Sequence, residues 1–210
     1  MDLLNKKKNL IDLLTKEGYL KTKSIINAFW KVPREWFVPE EYREYAYVDE
    51  PLPIRRGQTI SAPHMVALMT ELIEPRKTDV VLEIGAGSGY QAAVLSLLVK
   101  KVYTIEVEEE LVKFAKENLK RFGCKNVEVI RGDGSRGLPE KAPFDKILVT
   151  CAADKIYPAW KEQLKNYGII VLPLGQGFFQ KLVIGRKRKG KLEVRELMDV
   201  AFVPLRHDSD

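Results

Sequence analysis

The sequence predicts an α/β protein: a mostly parallel seven-strand sheet with an antiparallel C-terminal edge, preceded by a helical N-terminal segment. Three observations carry this. From Asp79 onward, short apolar runs alternate with segments of helical period, the pattern of a parallel sheet with crossover helices. A glycine-rich stretch, Gly85-Ala86-Gly87-Ser88-Gly89, separates the first such run from the segment that follows it. The final part of the chain carries strand-like runs with no helical segment between them.

Taken in order, Leu3, Leu4, Leu10, Ile11 and Leu14 form a helix-spaced stripe that stops at Gly18. Ile25, Ile26, Phe29 and Trp30 form a second, stopped by Pro33. Residues 32–63 are rich in Pro and aromatics and read as a long ordered loop with apolar anchors. Met65, Leu68, Met69, Leu72 and Ile73 share one helix face. Strands are expected at 80–84, 102–106, 127–130, 144–150 and 169–172. Helices are expected at 90–99, around Leu111 to Phe122, and over Tyr157, Trp160, Leu164 and Tyr167. The tail reads as strand at 181–185, 192–197 and 200–203, with a hairpin turn at 187–190. One domain is expected: 1–60 supply N-terminal helices and a loop on the acceptor side, and 61–210 the core.

Composition narrows the function classes. The chain has 210 residues, 35 basic and 29 acidic, for a net charge of +6. Mixed charge of this kind describes a solvated surface rather than a nucleic-acid stripe. The basic run 186–191 is read the same way, as a hairpin tip. Two Cys and two His exclude a disulfide framework and a histidine-rich or four-cysteine metal centre, so no metal is expected. No apolar run reaches membrane-spanning length and no secretory signal is visible, so a cytoplasmic protein, with no membrane partner, is expected.

The glycine stretch is the chemical clue. Glycine lets a strand-to-helix turn tighten and lets backbone approach a ligand. The spacing departs from the dinucleotide G-x-G-x-x-G fingerprint, because Tyr90 stands where its third glycine would be. Even G-x-G-x-G spacing suits a nucleoside ligand without a diphosphate, of which S-adenosylmethionine is the common example. Glu106 ends the second strand, where an acid accepts hydrogen bonds from ribose hydroxyls. Asp133, in Gly132-Asp133-Gly134 after the third strand, is placed to accept from an adenine amino group. Glu83 is placed to reach the methionine ammonium directly or through water. The expected cofactor set is thus Glu83, Gly85, Gly87, Gly89, Glu106, Asp133 and Gly134, on a Rossmann-like methyltransferase fold.

The methyl acceptor is suggested by the segment before this core. Gly57-Gln58-Thr59-Ile60-Ser61-Ala62-Pro63-His64-Met65 closely resembles the signature of the protein L-isoaspartate (D-aspartate) O-methyltransferase family. Val32-Pro33-Arg34-Glu35, Phe37-Val38-Pro39, Ala46-Tyr47-Val48-Asp49, Gly132-Asp133-Gly134, Ala142-Pro143-Phe144-Asp145 and Phe202-Val203-Pro204-Leu205 extend the resemblance over roughly residues 20 to 206. Thr150-Cys151-Ala152-Ala153 departs from it, where relatives are more apolar.

The resemblance implies methyl transfer from S-adenosyl-L-methionine, leaving S-adenosyl-L-homocysteine, to the free α-carboxylate of L-isoaspartyl residues in damaged proteins and peptides. It implies Ser61 as the catalytic serine, its hydroxyl bonding the acceptor carboxylate; without the resemblance Ser61 reads as a helix cap. Thr59 and Ile60 are expected to shape the acceptor pocket. His64 either lines that pocket or packs the first helical turn. Val203 either walls it or packs the sheet. Arg55 and Arg56 read as an exposed loop pair, and Cys151 as a small buried apolar residue. The partners expected are isoaspartyl proteins and peptides, with no nucleic acid, and the protein is expected to be a monomer. The competing reading is a methyltransferase for RNA or a small molecule. The Asn/Asp-Pro-Pro-aromatic motif of nucleobase N-methyltransferases is absent at 150–153.

Overall fold

A computed structural model describes residues 2–177 and 179–208. Two helices open the chain, α1 (Leu3–Lys16) and α2 (Lys23–Lys31). Asp2 caps α1, its carboxylate accepting from the Leu4 amide at 3.4 Å. The apolar stripe of α1 is its buried face, Leu10, Ile11 and Leu14. The segment 32–63 is ordered as three 3₁₀ turns and a two-stranded antiparallel ribbon, β1 (Leu52–Pro53) and β2 (Thr59–Ile60). The helix α3 (Pro63–Leu72) follows, with Pro63 in its first turn.

The core alternates β3 (Val80–Ile84), α4 (Tyr90–Ser96), β4 (Lys101–Glu106), α5 (Glu109–Phe122), β5 (Val127–Arg131), β6 (Phe144–Val149), α6 (Pro158–Gln163), β7 (Leu164–Gln176), β8 (Phe179–Arg188) and β9 (Lys191–Val200). The sheet order is β5-β4-β3-β6-β7-β8-β9. The first five strands are parallel and the last two pairings antiparallel. Apolar side chains cover both faces. Leu14, Ile25 and Phe37 from the N-terminal segment share one cluster with Val81, Leu95 and Leu148. Leu82, Ile147, Ile170 and Trp160 pack on the other. Each such side chain contributes roughly 1.5–3 kcal/mol by burial.

Three expectations fail locally. The helix expected over 157–167 ends at Gln163, because Leu164 joins the sheet opposite Phe144 and Tyr167 adopts φ +66°. The helix expected at 90–99 stops at Ser96 and closes in turns. Residues 201–203 are not a strand of their own: β9 runs unbroken to Val200, and the chain then leaves the sheet, with Pro204 bridging Ala152. β9 is the outermost strand and mostly exposed. It carries Lys191, Glu193, Arg195, Glu196 and Asp199, and the β8–β9 register shifts between Leu182 and Val183. Among the described residues, no helix is long and apolar enough to cross a membrane.

Candidate adenosyl and acceptor site

Strand order reverses around β3, with β4 on one side and β6 on the other, and a parallel sheet binds ligands at the carboxyl ends of its strands at such a point. A cleft of about 860 Å³, including its mouth, opens there. Thr59, Ile60 and Ser61 form one wall, Gly85 to Ser88 and Glu106 the floor, and Gly132, Gly134 and residues 203–206 the far side.

The glycines are required by geometry. Gly85 has φ +95°, and a Cβ on it would lie 2.7 Å from the Thr150 hydroxyl. That hydroxyl donates to the Gly85 carbonyl at 2.7 Å, tying β6 to the loop. Gly134 would drive a Cβ to 2.4 Å from Ile84, so its backbone is pressed against the β3 end. Gly89, at φ +85°, is the N-cap of α4 and packs on Leu119 rather than lining the cleft.

Glu106 is buried and held by three backbone amides. Its Oε2 accepts from the Gly87 amide at 2.9 Å, and Oε1 from the amides of Val107 at 3.0 Å and Glu108 at 3.2 Å. Burial raises its pKa above the ordinary carboxylate range, while these three N–H groups act against the shift. The carboxylate therefore shapes the loop and keeps acceptor capacity toward the cleft.

Glu83 is wholly buried beneath the loop, and neither of its oxygens has a partner. Burial pushes it up to about 8. Thr104, its register partner on β4, opposes this, but its hydroxyl is itself buried and unpartnered. Glu106 nearby adds to the rise. Glu83 is not itself on the cleft wall, which begins at its neighbour Ile84; an orphaned acid one residue behind that wall fits a ligand that carries a cationic end.

The remaining expected residues divide between the cleft and its surroundings. The Asp133 carboxylate is not on the cleft wall; its neighbours Gly132 and Gly134 are. It accepts from the Ser135 amide at 2.9 Å and lies 3.2 Å from His207 Nδ1. Burial works to raise its pKa, but these partners outweigh it and hold the group below its usual value. His64 packs the first turn of α3: its amide and its Nδ1 meet Asp49 Oδ1 at 2.8 and 3.0 Å, and its ring faces Tyr19. Val203 lines the cleft, and its carbonyl accepts from Ala152 at 2.8 Å. Ser61 is not the helix cap, a position held by Ala62, and its hydroxyl makes no hydrogen bond to the described residues. Cys151 borders the cleft, and burial pushes its thiol far up. Arg55 lies over the Phe114 ring, while Arg56 pairs with Glu108 at 3.3 Å.

Thr150 and Arg206 also line the cleft and are not among the residues expected from the sequence. Thr150 directly follows a parallel strand, the position that could have pointed to it. Arg206 meets Glu108 at 2.8 Å and His207 meets Asp133, so the segment 203–207 is fastened on both sides of the adenosyl end of the cleft.

The family model for protein-L-isoaspartate (D-aspartate) O-methyltransferase matches residues 5–210. A protein-L-isoaspartate O-methyltransferase of Pyrococcus abyssi is 48% identical over 208 residues, covering 98% of this chain and 96% of the relative. A solved protein-L-isoaspartate O-methyltransferase superposes with TM-score 0.88 at 31% identity, over 96% of this chain and 66% of that one. A Plasmodium falciparum structure described as the same enzyme, in complex with S-adenosyl-L-homocysteine, gives TM-score 0.84 at 27% identity, over 95% and 97% of the two chains. Fold, cleft and sequence similarity over nearly the whole chain agree: the protein belongs to the protein-L-isoaspartate (D-aspartate) O-methyltransferase family.

Proposed function

We infer that this chain methylates the free α-carboxylate of L-isoaspartyl residues in proteins and peptides, using S-adenosyl-L-methionine. The observation that carries the reading is that Ser61, whose hydroxyl makes no hydrogen bond to the described residues, lines the same cleft as the glycine loop and Glu106. When bound, the donor supplies a methyl group on a sulfonium, activated without help from the protein. The chain's task is positioning. Glu106, set by the loop amide of Gly87, holds the ribose end, Gly134 the adenine side, and Glu83 the ammonium. Ser61 donates to one acceptor oxygen and aims the other at the methyl carbon, with Thr59, Ile60 and Val203 as walls. An α-carboxylate is ionised at neutral pH, so no general base is needed, and the cleft offers no histidine to act as one. Alignment of this kind is worth about 7–11 kcal/mol in favourable cases. The neighbouring amide nitrogen of the substrate then displaces methanol from the ester to close a succinimide, whose hydrolysis restores part of the normal aspartate. We read the chain as a single-domain, cytoplasmic monomer that needs no metal.

The test compares two peptides that differ only in isoaspartate against aspartate, each with methyl-labelled S-adenosylmethionine. Base-labile label on the isoaspartyl peptide alone is expected. Label on both, or on neither while the adenosyl ligand binds, would sink the acceptor assignment.

A further inference from the structure

Behind the acceptor wall lies a cation that the reaction as described does not use. Arg34 begins the 3₁₀ turn Arg34–Trp36 and is 0% exposed. Its Nε donates to the Ala46 carbonyl and its Nη2 to the Ser61 carbonyl, each at 2.9 Å. The guanidinium sits 5.0 Å from the centroid of the Tyr90 ring. Nη1 is buried and has no partner. Among the described residues, no carboxylate lies within ion-pair distance of Arg34. Asp49 attracts it from farther off, but the Asp49 Oδ1 already holds the His64 amide and ring. The two neighbouring phenols are neutral, since burial raises both, Tyr90 to about 12. Burial lowers Arg34 itself to about 10, so it remains charged at neutral pH.

A full positive charge thus stands in the interior with no carboxylate in ion-pair contact among the described residues, touching two residues that line the cleft, Ser61 and Tyr90. An unpaired buried charge is strongly destabilising unless an opposite charge comes close. At reduced dielectric a carboxylate one residue away interacts with it appreciably.

We propose that Arg34 is a positioning residue that holds Ser61 through its carbonyl, and that its missing counter-ion is the free α-carboxylate of the isoaspartyl acceptor. The proposal rests on the acceptor reading above. It makes Arg34 the source of the preference for an anionic acceptor over a neutral one. Its effect falls on acceptor binding more than on the chemical step, so KM moves more than kcat.

The experiment measures equilibrium binding to the full chain loaded with S-adenosyl-L-homocysteine. Two peptides are compared: an isoaspartyl peptide and the same peptide with its isoaspartyl α-carboxylate converted to the carboxamide. The wild type is expected to prefer the carboxylate by about tenfold or more. In Arg34→Met that preference falls to within about threefold, while Arg34→Lys, which keeps the charge but not the fork, retains most of it. The double comparison removes general damage, which weakens both peptides alike. A preference unchanged in Arg34→Met, or equally lost in Arg34→Lys, overturns the proposal. If Arg34→Met no longer binds S-adenosyl-L-homocysteine, Asp49→Asn decides: removing the opposing carboxylate raises the preference, and an unchanged or lower one overturns the proposal. Failure of the acceptor reading looks different, because the wild type would then bind isoaspartyl and aspartyl peptides equally.

Discussion

Glu83→Gln is expected to stabilise the ligand-free protein at alkaline pH while weakening its hold on the adenosyl ligand. Burial sets the wild-type carboxyl at about 8, against an ordinary 4.5. A raised value means that the folded state binds the proton more tightly than the unfolded chain. The associated stability is therefore complete below about 4.5 and is lost as pH rises through about 8. That displacement corresponds to about 5 kcal/mol. For a chain of this size it moves the thermal midpoint on the order of 10–20 °C. Gln fills the same space and has no charge to acquire, so the variant lacks this slope. The assay is thermal unfolding of both proteins, ligand-free, from about pH 5 to about pH 9. The gap between the two midpoints should open in the variant's favour as pH rises. Saturating S-adenosyl-L-homocysteine should narrow it, because the ligand's ammonium gives the wild-type carboxylate a partner. A gap that stays constant across the range would refute the reasoning, since it would mean that Glu83 is solvated or already paired.

Three further outcomes are expected. Ser61→Ala should lower kcat by on the order of tenfold to a hundredfold while leaving S-adenosyl-L-homocysteine affinity unchanged; loss of that affinity would mean the serine shapes the donor end instead. Gly85→Ala places a side chain at φ +95° and 2.7 Å from Thr150, and should cost about 2–3 kcal/mol of stability, read as a lower thermal midpoint, and most of the ligand affinity. Cys151, buried and raised, should resist iodoacetamide in the native state at mildly alkaline pH and react on unfolding, and Cys151→Ala should keep its activity; rapid native labelling would contradict its burial.

What the sequence made legible is what local pattern controls. The runs 80–84 and 102–106 are apolar because parallel strands are covered on both faces, and the glycines after β3 mark a turn where a Cβ at Gly85 cannot fit. Glu106 follows from its place at a strand end. Where pairing at a distance decides, the pattern misleads. Leu164 and Tyr167 continue the helical spacing of Tyr157 and Trp160, yet Leu164 is drawn into the sheet by Phe144. Asp133 holds the place expected after β5, and only the fold shows that its carboxylate also meets His207, far along the chain. Arg34 is the hardest case. Nothing in the pattern of Val32-Pro33-Arg34-Glu35 gives the arginine a partner, and only the fold reveals that the loop wraps it under Ser61.

The outer strand of the sheet has a further consequence. A repair enzyme spends its working life among aged chains, some of them partly unravelled and offering loose extended segments. Any bare strand edge on the enzyme would invite those segments to add themselves to its sheet. β9 answers with charge at five positions and an irregular pairing behind it. At this edge a loose client strand is thereby discouraged from extending the sheet.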